Sequence, residues 1–366
     1  EKERFNRNLL QRDGQLLGND LTLTVDARLQ QEAARLLSGR RGAVVVLDPR
    51  RGDVLALASA PAFDPNRLTP DLFAADPVRS PLLNRALQGL YPPGSSFKIV
   101  VAALALEKGV DVRFDCPASG FVPAPGKAAI RDHEYYEAQR QGRAWGGYGQ
   151  IGLGRALAKS SNVYFAQLGA HLGLPALEQQ VARFQFNQTV TLLAGSASEV
   201  RFKPGALPDL KAGDRGAAAQ IAIGQGALLA SPMGMAMAAA AIANDGRLVK
   251  PRLTTRTPPE LLAGCTTPAA ARKLRTLMRG VVTDGTGRGA EVPGLHVAGK
   301  TGTAQTPRGD DHAWFVAMAP AEKPVLVVAV LVEHGGYGAA AAVPVAVGLL
   351  KKAKEVGWFG GTGGSP

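Results

Sequence analysis

Cysteine is scarce in this sequence. Only Cys116 and Cys265 occur among 366 residues, and they form no C-x-x-C pair. A structural zinc site draws most of its four ligands from cysteine and histidine, so this composition excludes one. We expect both cysteines to be buried free thiols, with a single disulfide as the alternative if the compartment is oxidising.

Long apolar runs and blocks of basic residues are also missing. The longest low-charge stretch, residues 227–243, is mostly alanine and is interrupted by Ser231 and Pro232, which favours a buried helix over a membrane span. No signal peptide is visible. Because the sequence begins at Glu1 rather than at methionine, we expect it to be a fragment, so the absence of an anchor here says nothing about the full-length protein.

Acidic residues are fewer than basic ones, and the formal net charge is +12. This excess favours an anionic partner such as nucleic acid, a membrane surface or a cell-envelope polymer. Aromatic residues make up only 6% of the chain and no run of Lys and Arg is long enough for a nucleic-acid arm, so nucleic acid is disfavoured. A polyanion-binding module without enzymatic activity stays an alternative, and its binding would weaken with salt.

Strand-like patterns lie at both ends of the sequence, and helix-like patterns lie between them. Strands are expected at residues 21–25, 42–49, 54–59, 247–251, 295–303, 312–318 and 325–332. Helices are expected at residues 27–37, 95–106, 163–168, 269–282 and 339–356, and helical segments dominate residues 153–243. We therefore predict an α+β fold with a central antiparallel sheet built from both sequence ends, flanked by helices, and with an inserted, mostly helical subdomain.

Ser95 and Lys98 form an S-x-x-K pair at the start of the predicted helix, directly after the loop that residues 92–94 close. One helical turn separates the two side chains, so they share a face. The apolar residues 99–104 would leave Lys98 poorly solvated, and desolvation lowers the pKa of a lysine. A neutral Lys98 can accept the proton of Ser95 and so activate it as a nucleophile. In the alternative interpretation, Ser95 only caps the helix and Lys98 is a solvated charge.

Two further short motifs follow along the chain. Ser160, Ser161 and Asn162 form an S-x-N motif between two predicted helices, where capping is the simpler interpretation. Residues 300–303 read Lys-Thr-Gly-Thr and lie within a predicted strand. Each motif alone arises easily by chance, so the informative observation is that all three occur, in the order S-x-x-K, S-x-N and K-T-G.

In this set and order the motifs resemble the penicillin-binding, active-site-serine transpeptidases that cross-link peptidoglycan. The resemblance covers about residues 21–355, and the residues 91–94 look more like monofunctional class B enzymes than bifunctional class A enzymes, with no glycosyltransferase segment in this chain. Further stretches similar to this family are residues 47–56, 84–86, 223–226 and 311–315.

The resemblance implies a role for each motif residue. Ser95 would attack the D-alanyl-D-alanine carbonyl of a stem peptide and form an acyl-enzyme, and Lys98 would take its proton. Ser160 would relay a proton towards the leaving D-alanine. Asn162 would hydrogen-bond both the substrate amide and Lys98.

The K-T-G motif would bind the end of the substrate. Lys300 would supply positive charge to the substrate carboxylate and further depress the pKa of Lys98. Thr301 and Thr303 would bind that carboxylate, and the backbone N–H groups of Ser95 and Thr303 would form the oxyanion hole. Without a Cβ, Gly302 would let the substrate backbone approach the strand closely.

The resemblance also implies a domain organisation and partners. Residues 1–20 would be a connecting segment, residues 21–356 the transpeptidase domain with a helical subdomain and site loops from residues 60–290, and residues 357–366 a flexible Gly-rich tail. Expected partners are peptidoglycan stem peptides, β-lactam antibiotics and membrane-bound cell-wall synthesis proteins such as a glycosyltransferase, without cofactor or metal. The expected location is the periplasmic face of a bacterial inner membrane, in either cell division or cell elongation.

Related chemistries remain open on the same residues. A D,D-carboxypeptidase and a β-lactam sensor differ mainly in what resolves the acyl-enzyme. A class A β-lactamase would need an E-x-x-x-N pattern between Asn162 and Lys300, which the sequence lacks. Residues 294–301 also fit the phosphate-binding pattern G-x-x-x-x-G-K-[ST], but that site needs a helix beginning at Lys300, and the residues that follow are poor helix formers.

Overall fold

The computed structural model describes residues 10–12, 15–17, 20–73, 79–194, 199–306 and 309–360. The strands are β1 Leu10–Arg12, β2 Gln15–Leu17, β3 Gly42–Leu47, β4 Val54–Ala60, β5 Phe114–Pro117, β6 Gly147–Ile151, β7 Val190–Leu193, β8 Val200–Phe202, β9 Gly205–Ala206, β10 Leu229–Ala230, β11 Arg247–Val249, β12 Leu261–Gly264, β13 Ala298–Ala304, β14 His312–Ala319 and β15 Leu326–Val332. The helices are α1 Ala27–Leu36, α2 Lys98–Glu107, α3 His133–Arg140, α4 Leu153–Lys159, α5 Asn162–Leu172, α6 Leu174–Arg183, α7 Arg215–Ala222, α8 Pro232–Ala243, α9 Pro268–Asp284 and α10 Gly338–Glu355. Short 3-10 turns lie at Pro70–Phe73, Gly94–Phe97 and Arg288–Ala290.

Within these ranges, five strands form one antiparallel sheet in the order β13, β14, β15, β3, β4. Val330 of β15 pairs with Val44 of β3, which places the strands from the end of the chain beside the hairpin from its beginning. The strands predicted at residues 42–49 and 54–59 are present as β3 and β4, which pair as an antiparallel hairpin. The predicted α+β fold, with a sheet built from both sequence ends, is confirmed.

Both faces of this sheet are covered, so its central strands are apolar on both sides. In β14, Phe315 faces a core that includes α1 and α10, whereas Trp314 faces a larger core that includes the inserted helices. Every residue of α8 is buried, because this helix packs between the sheet and α9. The prediction of a buried helix in the alanine-rich stretch is therefore confirmed.

Element boundaries agree with the sequence patterns except where tertiary contacts decide them. Asp26 caps α1, with its carboxylate accepting the N–H of Arg28 at 2.9 Å. The predicted strand at residues 21–25 is wrong, because this segment makes only an isolated bridge at Leu23 beside the chain near Thr254. β13 begins later than predicted, since the residues before it form a turn in which His296 has a φ of 45°.

Several expectations concern the ends of the chain and its thiols. Both cysteines are free and buried, as the default interpretation predicted. Most of the predicted connecting segment, and residues 361–366 of the predicted tail, lie outside the described residues. Trp358 donates from its indole nitrogen to Asp26 at 3.0 Å, so the first residues of that tail pack against α1. The division of the chain at residues 20, 60, 290 and 356 stays a prediction. No helix among the described residues has the length and apolarity to cross a membrane.

Three backbone segments meet without side chains between them where the active-site turn begins. Gly94 has a φ of 53°, and a Cβ on it would lie 2.4 Å from the carbonyl oxygen of Thr303 in β13. Gly224, with a φ of 75°, follows α7, and a Cβ on it would lie 1.9 Å from the carbonyl oxygen of Gly94. The N–H of Gly94 donates to the carbonyl of Gly224 at 2.8 Å. These contacts fix the turn that carries Ser95.

We expect Gly224→Ala to lower the free energy of unfolding by about 2–4 kcal/mol, because it adds a backbone clash to the cost of a positive φ. Gly213→Ala is the matched control, since Gly213 has a φ of 80° but a methyl group there would have no neighbouring atom within 4 Å. The control should cost about 1 kcal/mol. Urea titration followed by circular dichroism measures both, and equal losses would contradict the close-approach argument.

Candidate active site

Ser95 lies in the 3-10 turn that precedes α2, so the α-helix begins three residues later than predicted, at Lys98. The hydroxyl of Ser96 donates to the carbonyl of Pro93 at 2.6 Å and stabilises this turn. Ser95 itself lines a cleft of about 500 Å³. Its hydroxyl makes no hydrogen bond to any residue in the described ranges. A direct bond between Ser95 and Lys98 is therefore not formed in this structure.

Lys98 is completely buried. Its Nζ donates to the carbonyl of Ser160 at 2.6 Å and to Oδ1 of Asn162 at 2.8 Å, and it lies 3.4 Å from Oγ of Ser160. Burial lowers the pKa of Lys98 to about 7, although the carboxylates of Asp132 and Glu134 oppose this shift. The poorly solvated lysine expected from the apolar helix sequence is thus present.

The S-x-N motif forms the connection between α4 and α5. Ser160 ends α4 in the left-handed conformation, with a φ of 58°, and both its carbonyl and its hydroxyl face the buried amines. Ser161 caps α5 by accepting the N–H of Tyr164 at 3.1 Å. The capping interpretation therefore holds for the middle serine, whereas Ser160 and Asn162 contact Lys98.

Lys300 lies on β13 and is also completely buried. Its Nζ donates to Oγ of Ser160 at 2.8 Å and to the carbonyl of Thr301 at 2.9 Å. Burial lowers the pKa of Lys300 well below its usual value, and the charge of Lys98 lowers it further. Repulsion between two amines acts on both, so each charge disfavours the other, and burial is the larger cause for both residues.

The remaining K-T-G residues have two different surroundings. Thr301 and Thr303 line the cleft. A Cβ on Gly302 would lie 2.8 Å from Cβ of Trp314 and 3.0 Å from the backbone nitrogen of Ser96. Its missing side chain therefore makes room for the turn that carries Ser95, and close approach of a substrate backbone to Gly302 stays a prediction.

Two polar residues of the site were not anticipated from the sequence. Asp132 lies before α3 and binds the start of α5 through backbone N–H groups and the hydroxyl of Ser161. Thr286 follows α9, lines the cleft, and shares a hydrogen bond of 2.6 Å with the hydroxyl of Thr301. Each contact joins residues far apart in sequence, so no local pattern predicts it.

The loop before Ser95 is held by a buried polar network. The hydroxyl of Tyr91 donates to Glu333 at 2.7 Å, and the same carboxylate binds Arg85 at 2.7 Å. The indole of Trp314 donates to the carbonyl of Pro92 at 3.0 Å. Arg85 and Trp314 belong to stretches that resemble the transpeptidases in sequence. Their contacts show that these stretches hold the loop before Ser95 in place.

The phosphate-binding interpretation of residues 294–301 is wrong. Lys300 lies in the middle of β13, paired with Val316 of β14, and no helix begins there. Within the described residues, no group of three or more His, Cys, Asp and Glu side chains is placed to hold a metal ion.

The sequence profile of the penicillin-binding protein transpeptidase domain matches residues 42–351. The chain belongs to this family. The resemblance inferred from three short motifs is thereby confirmed, and the cleft with Ser95 is the part of the transpeptidase fold in which those motifs meet.

Individual relatives agree with this assignment. The chain is 34% identical over 364 residues to the peptidoglycan D,D-transpeptidase MrdA of Acinetobacter baumannii, which covers 89% of this chain and 52% of that protein. It therefore spans about half the length of this curated relative. A ceftriaxone acyl-enzyme of penicillin-binding protein A from M. tuberculosis matches with a TM-score of 0.77 at 31% identity, over 92% of this chain and 80% of that chain. Penicillin-binding protein PBP2 of Helicobacter pylori in complex with MreC matches with a TM-score of 0.78 at 28% identity, over 94% and 66% of the two chains.

The pKa of Lys98 predicts how reaction with penicillin depends on pH. Only the neutral amine accepts a proton. The acylation rate constant should therefore be low in acid, rise with pH through a midpoint near pH 7, and level off at higher pH. Lys98→Ala should slow acylation by about 10²- to 10⁴-fold. Stopped-flow or quenched acylation, from acid through neutral to alkaline pH, measures both.

Lys108→Ala provides the control, because this lysine ends the same helix but is exposed. It should keep the wild-type rate and pH profile. An acylation rate that stays constant down to strongly acid pH would contradict a neutral Lys98 as the base.

Proposed function

We propose that this chain is the catalytic domain of a peptidoglycan D,D-transpeptidase, which cross-links stem peptides through a serine acyl-enzyme and is inhibited covalently by β-lactams. The observation that carries this proposal is the convergence of three motifs on one cleft: Ser95 lines it, and the buried Lys98 and Lys300 both contact Ser160 beneath it. The activity named for the A. baumannii relative and the acyl-enzyme from M. tuberculosis support it.

In the first step the oxygen of Ser95 attacks the carbonyl carbon of the penultimate D-alanine, while Lys98 accepts the hydroxyl proton. A neutral amine has two N–H groups and one lone pair. The carbonyl of Ser160 and Oδ1 of Asn162 only accept, so they take the two N–H groups and leave the lone pair free to accept a proton. Oγ of Ser160 lies 3.4 Å from the same nitrogen. A pKa of about 7 for Lys98 keeps the neutral form abundant near neutral pH.

The negative charge that develops on the substrate oxygen needs donors near Ser95. We assign this role to the backbone N–H groups of Ser95 and Thr303. The close approach of Gly94 to the carbonyl of Thr303 supports the assignment, because it brings the two backbone segments together. In comparable chemistry each such donor is worth roughly 3–4 kcal/mol.

Breakdown of this intermediate cleaves the peptide C–N bond and leaves Ser95 as an ester. The departing D-alanine amine takes its proton through Ser160, whose Oγ lies between Lys98 and Lys300. The D-alanine carboxylate binds the hydroxyls of Thr301 and Thr303, which line the cleft. Lys300 lies beneath them and supplies positive charge rather than a surface contact, because it is completely buried.

An amine of a second stem peptide then attacks the ester carbon and loses a proton to Lys98, the C–O bond to Ser95 breaks, and the oxygen of Ser95 leaves and regains its proton, which frees the cross-linked amide. Water in place of that amine would make the enzyme a D,D-carboxypeptidase on the same residues. D-alanine release from a synthetic stem peptide, measured with and without an amine acceptor, separates the two: a cross-linked product and faster release with the acceptor support the transpeptidase.

The place of action is the extracytoplasmic face of the bacterial inner membrane, where the peptidoglycan substrate lies. A membrane anchor outside this sequence and a glycosyltransferase partner are the finer parts of this proposal. The complex of the H. pylori relative with MreC supports membership of a larger assembly. Co-purification of the full-length protein with glycosyltransferases from detergent-solubilised membranes, compared with an anchor-deleted form, tests both parts.

Exposure to benzylpenicillin should give one stable covalent adduct, detected by intact mass spectrometry. Ser95→Ala should abolish it, because the nucleophile is lost. Ser96→Ala is the matched control: its hydroxyl is buried against the carbonyl of Pro93 and cannot reach the cleft, so labelling should persist. Undiminished labelling of the Ser95→Ala protein would remove the assignment.

A further inference from the structure

Asp132 binds a helix to which it does not belong. It occupies the N-cap position of α3, yet its side chain makes no capping bond to that helix. The carboxylate instead turns to α5, where Oδ1 accepts the N–H groups of Asn162 and Val163, the latter at 3.1 Å. Oδ2 accepts the hydroxyl of Ser161 at 3.1 Å.

The partners of Asp132 favour its ionised form. Two are backbone N–H groups, which only donate. The third, the Ser161 hydroxyl, already accepts the N–H of Tyr164, so its hydrogen is free to point at the carboxylate. Asp132 is 1% exposed, so its negative charge is buried beside the S-x-N motif. Burial raises the pKa of Asp132, whereas these hydrogen bonds and the charge of Lys98 oppose that shift.

Arg131, the residue before Asp132, also binds the S-x-N motif. The backbone carbonyl of Arg131 accepts from Nδ2 of Asn162 at 3.1 Å. Because that nitrogen must face a carbonyl, Oδ1 of Asn162 is turned towards Nζ of Lys98, at 2.8 Å. Residues 131 and 132 thus hold the main chain and the side chain of Asn162, and through it the amine.

We propose that Asp132 is a positioning residue for the acylation step: it holds the start of α5 so that Asn162 orients Lys98, and its buried charge keeps that amine basic enough to take the proton of Ser95. This inference rests on the proposed function. Within the described residues, the other charged groups that act on Lys98 are Glu134 in α3 and Lys300 in β13. The thiol of Cys116 in β5 also feels the charge of Asp132.

Charge and position are separated by two substitutions. Asp132→Asn keeps the size and one acceptor oxygen but removes the charge, so the pKa of Lys98 falls and the acid limb of the acylation rate moves to lower pH. Because a weaker base removes the serine proton more slowly, the plateau rate should also fall by about tenfold or more. Asp132→Glu keeps the charge but displaces it, so the midpoint should stay near the wild-type value while the plateau falls.

A purely structural cap is tested with Ser161→Ala, which removes the cap on Tyr164 and one hydrogen bond to Asp132 but leaves the carboxylate and its two backbone contacts. This variant should lower the Tm without moving the acid limb. Benzylpenicillin acylation of all four proteins is followed from acid to alkaline pH by quenched intact mass spectrometry, with Tm from circular dichroism. Should Asp132→Asn fail to fold, the plateau of Asp132→Glu decides.

The proposal is overturned if Asp132→Asn loses Tm but keeps the wild-type midpoint and plateau, or if Asp132→Glu acylates at the wild-type plateau. Failure of the proposed function gives a different result, because the wild-type protein itself would then form no adduct that depends on Ser95.

Discussion

Two amines removed from water, Lys98 and Lys300, are the constraint on which this structure depends. An unfolded chain would hold a proton on Lys98 up to its ordinary pKa of 10.5, whereas the folded chain gives that proton up near pH 7. The unfolded state therefore binds more protons between these values, and stability rises with pH across this window. At neutral pH the difference opposes folding by roughly 4 kcal/mol. The same lowering of the pKa of Lys98 that costs this stability makes the amine available as a base at neutral pH.

The fold compensates the two amines for their lost hydration with hydrogen-bond acceptors. Oxygen atoms lie around the two nitrogens, and the apolar cores pack around this polar cluster. The connection between α4 and α5 presents a carbonyl, a hydroxyl and an amide oxygen to two nitrogens. Ser160 does so from a left-handed conformation, which non-glycine residues adopt at a cost. The edge of the sheet carries Lys300, and the turn with Ser95 lies on that edge through three glycine contacts. Reactivity and backbone strain therefore share one small region, while the sheet and its two cores supply the stability.

What could be predicted from the sequence was what short spacings determine. The hairpin, the terminal strands, the buried alanine-rich helix and the burial of Lys98 all follow from local patterns. The start of α2 does not, because Gly94 is held by Gly224 and Thr303, which lie far away in sequence. Gly302 has the same limit: a glycine in the sequence indicates that another group comes close to the backbone, but it does not identify that group as protein or substrate. Asp132 precedes a helix and has the appearance of an ordinary cap, and only the folded chain brings α5 to it.

Because the charges of the two amines affect each other, binding of the proposed substrate at Lys300 would change the protonation of Lys98. The charge of Lys98 lowers the pKa of Lys300, so each amine disfavours the charged form of the other. A carboxylate bound at Thr301 and Thr303 would favour the charged form of Lys300. That charge would in turn disfavour a proton on Lys98, since both nitrogens contact Oγ of Ser160. On the proposed mechanism, a substrate that ends in a carboxylate would therefore increase the fraction of Lys98 able to deprotonate Ser95, and an amide or ester in its place would lose this effect together with the hydrogen bonds.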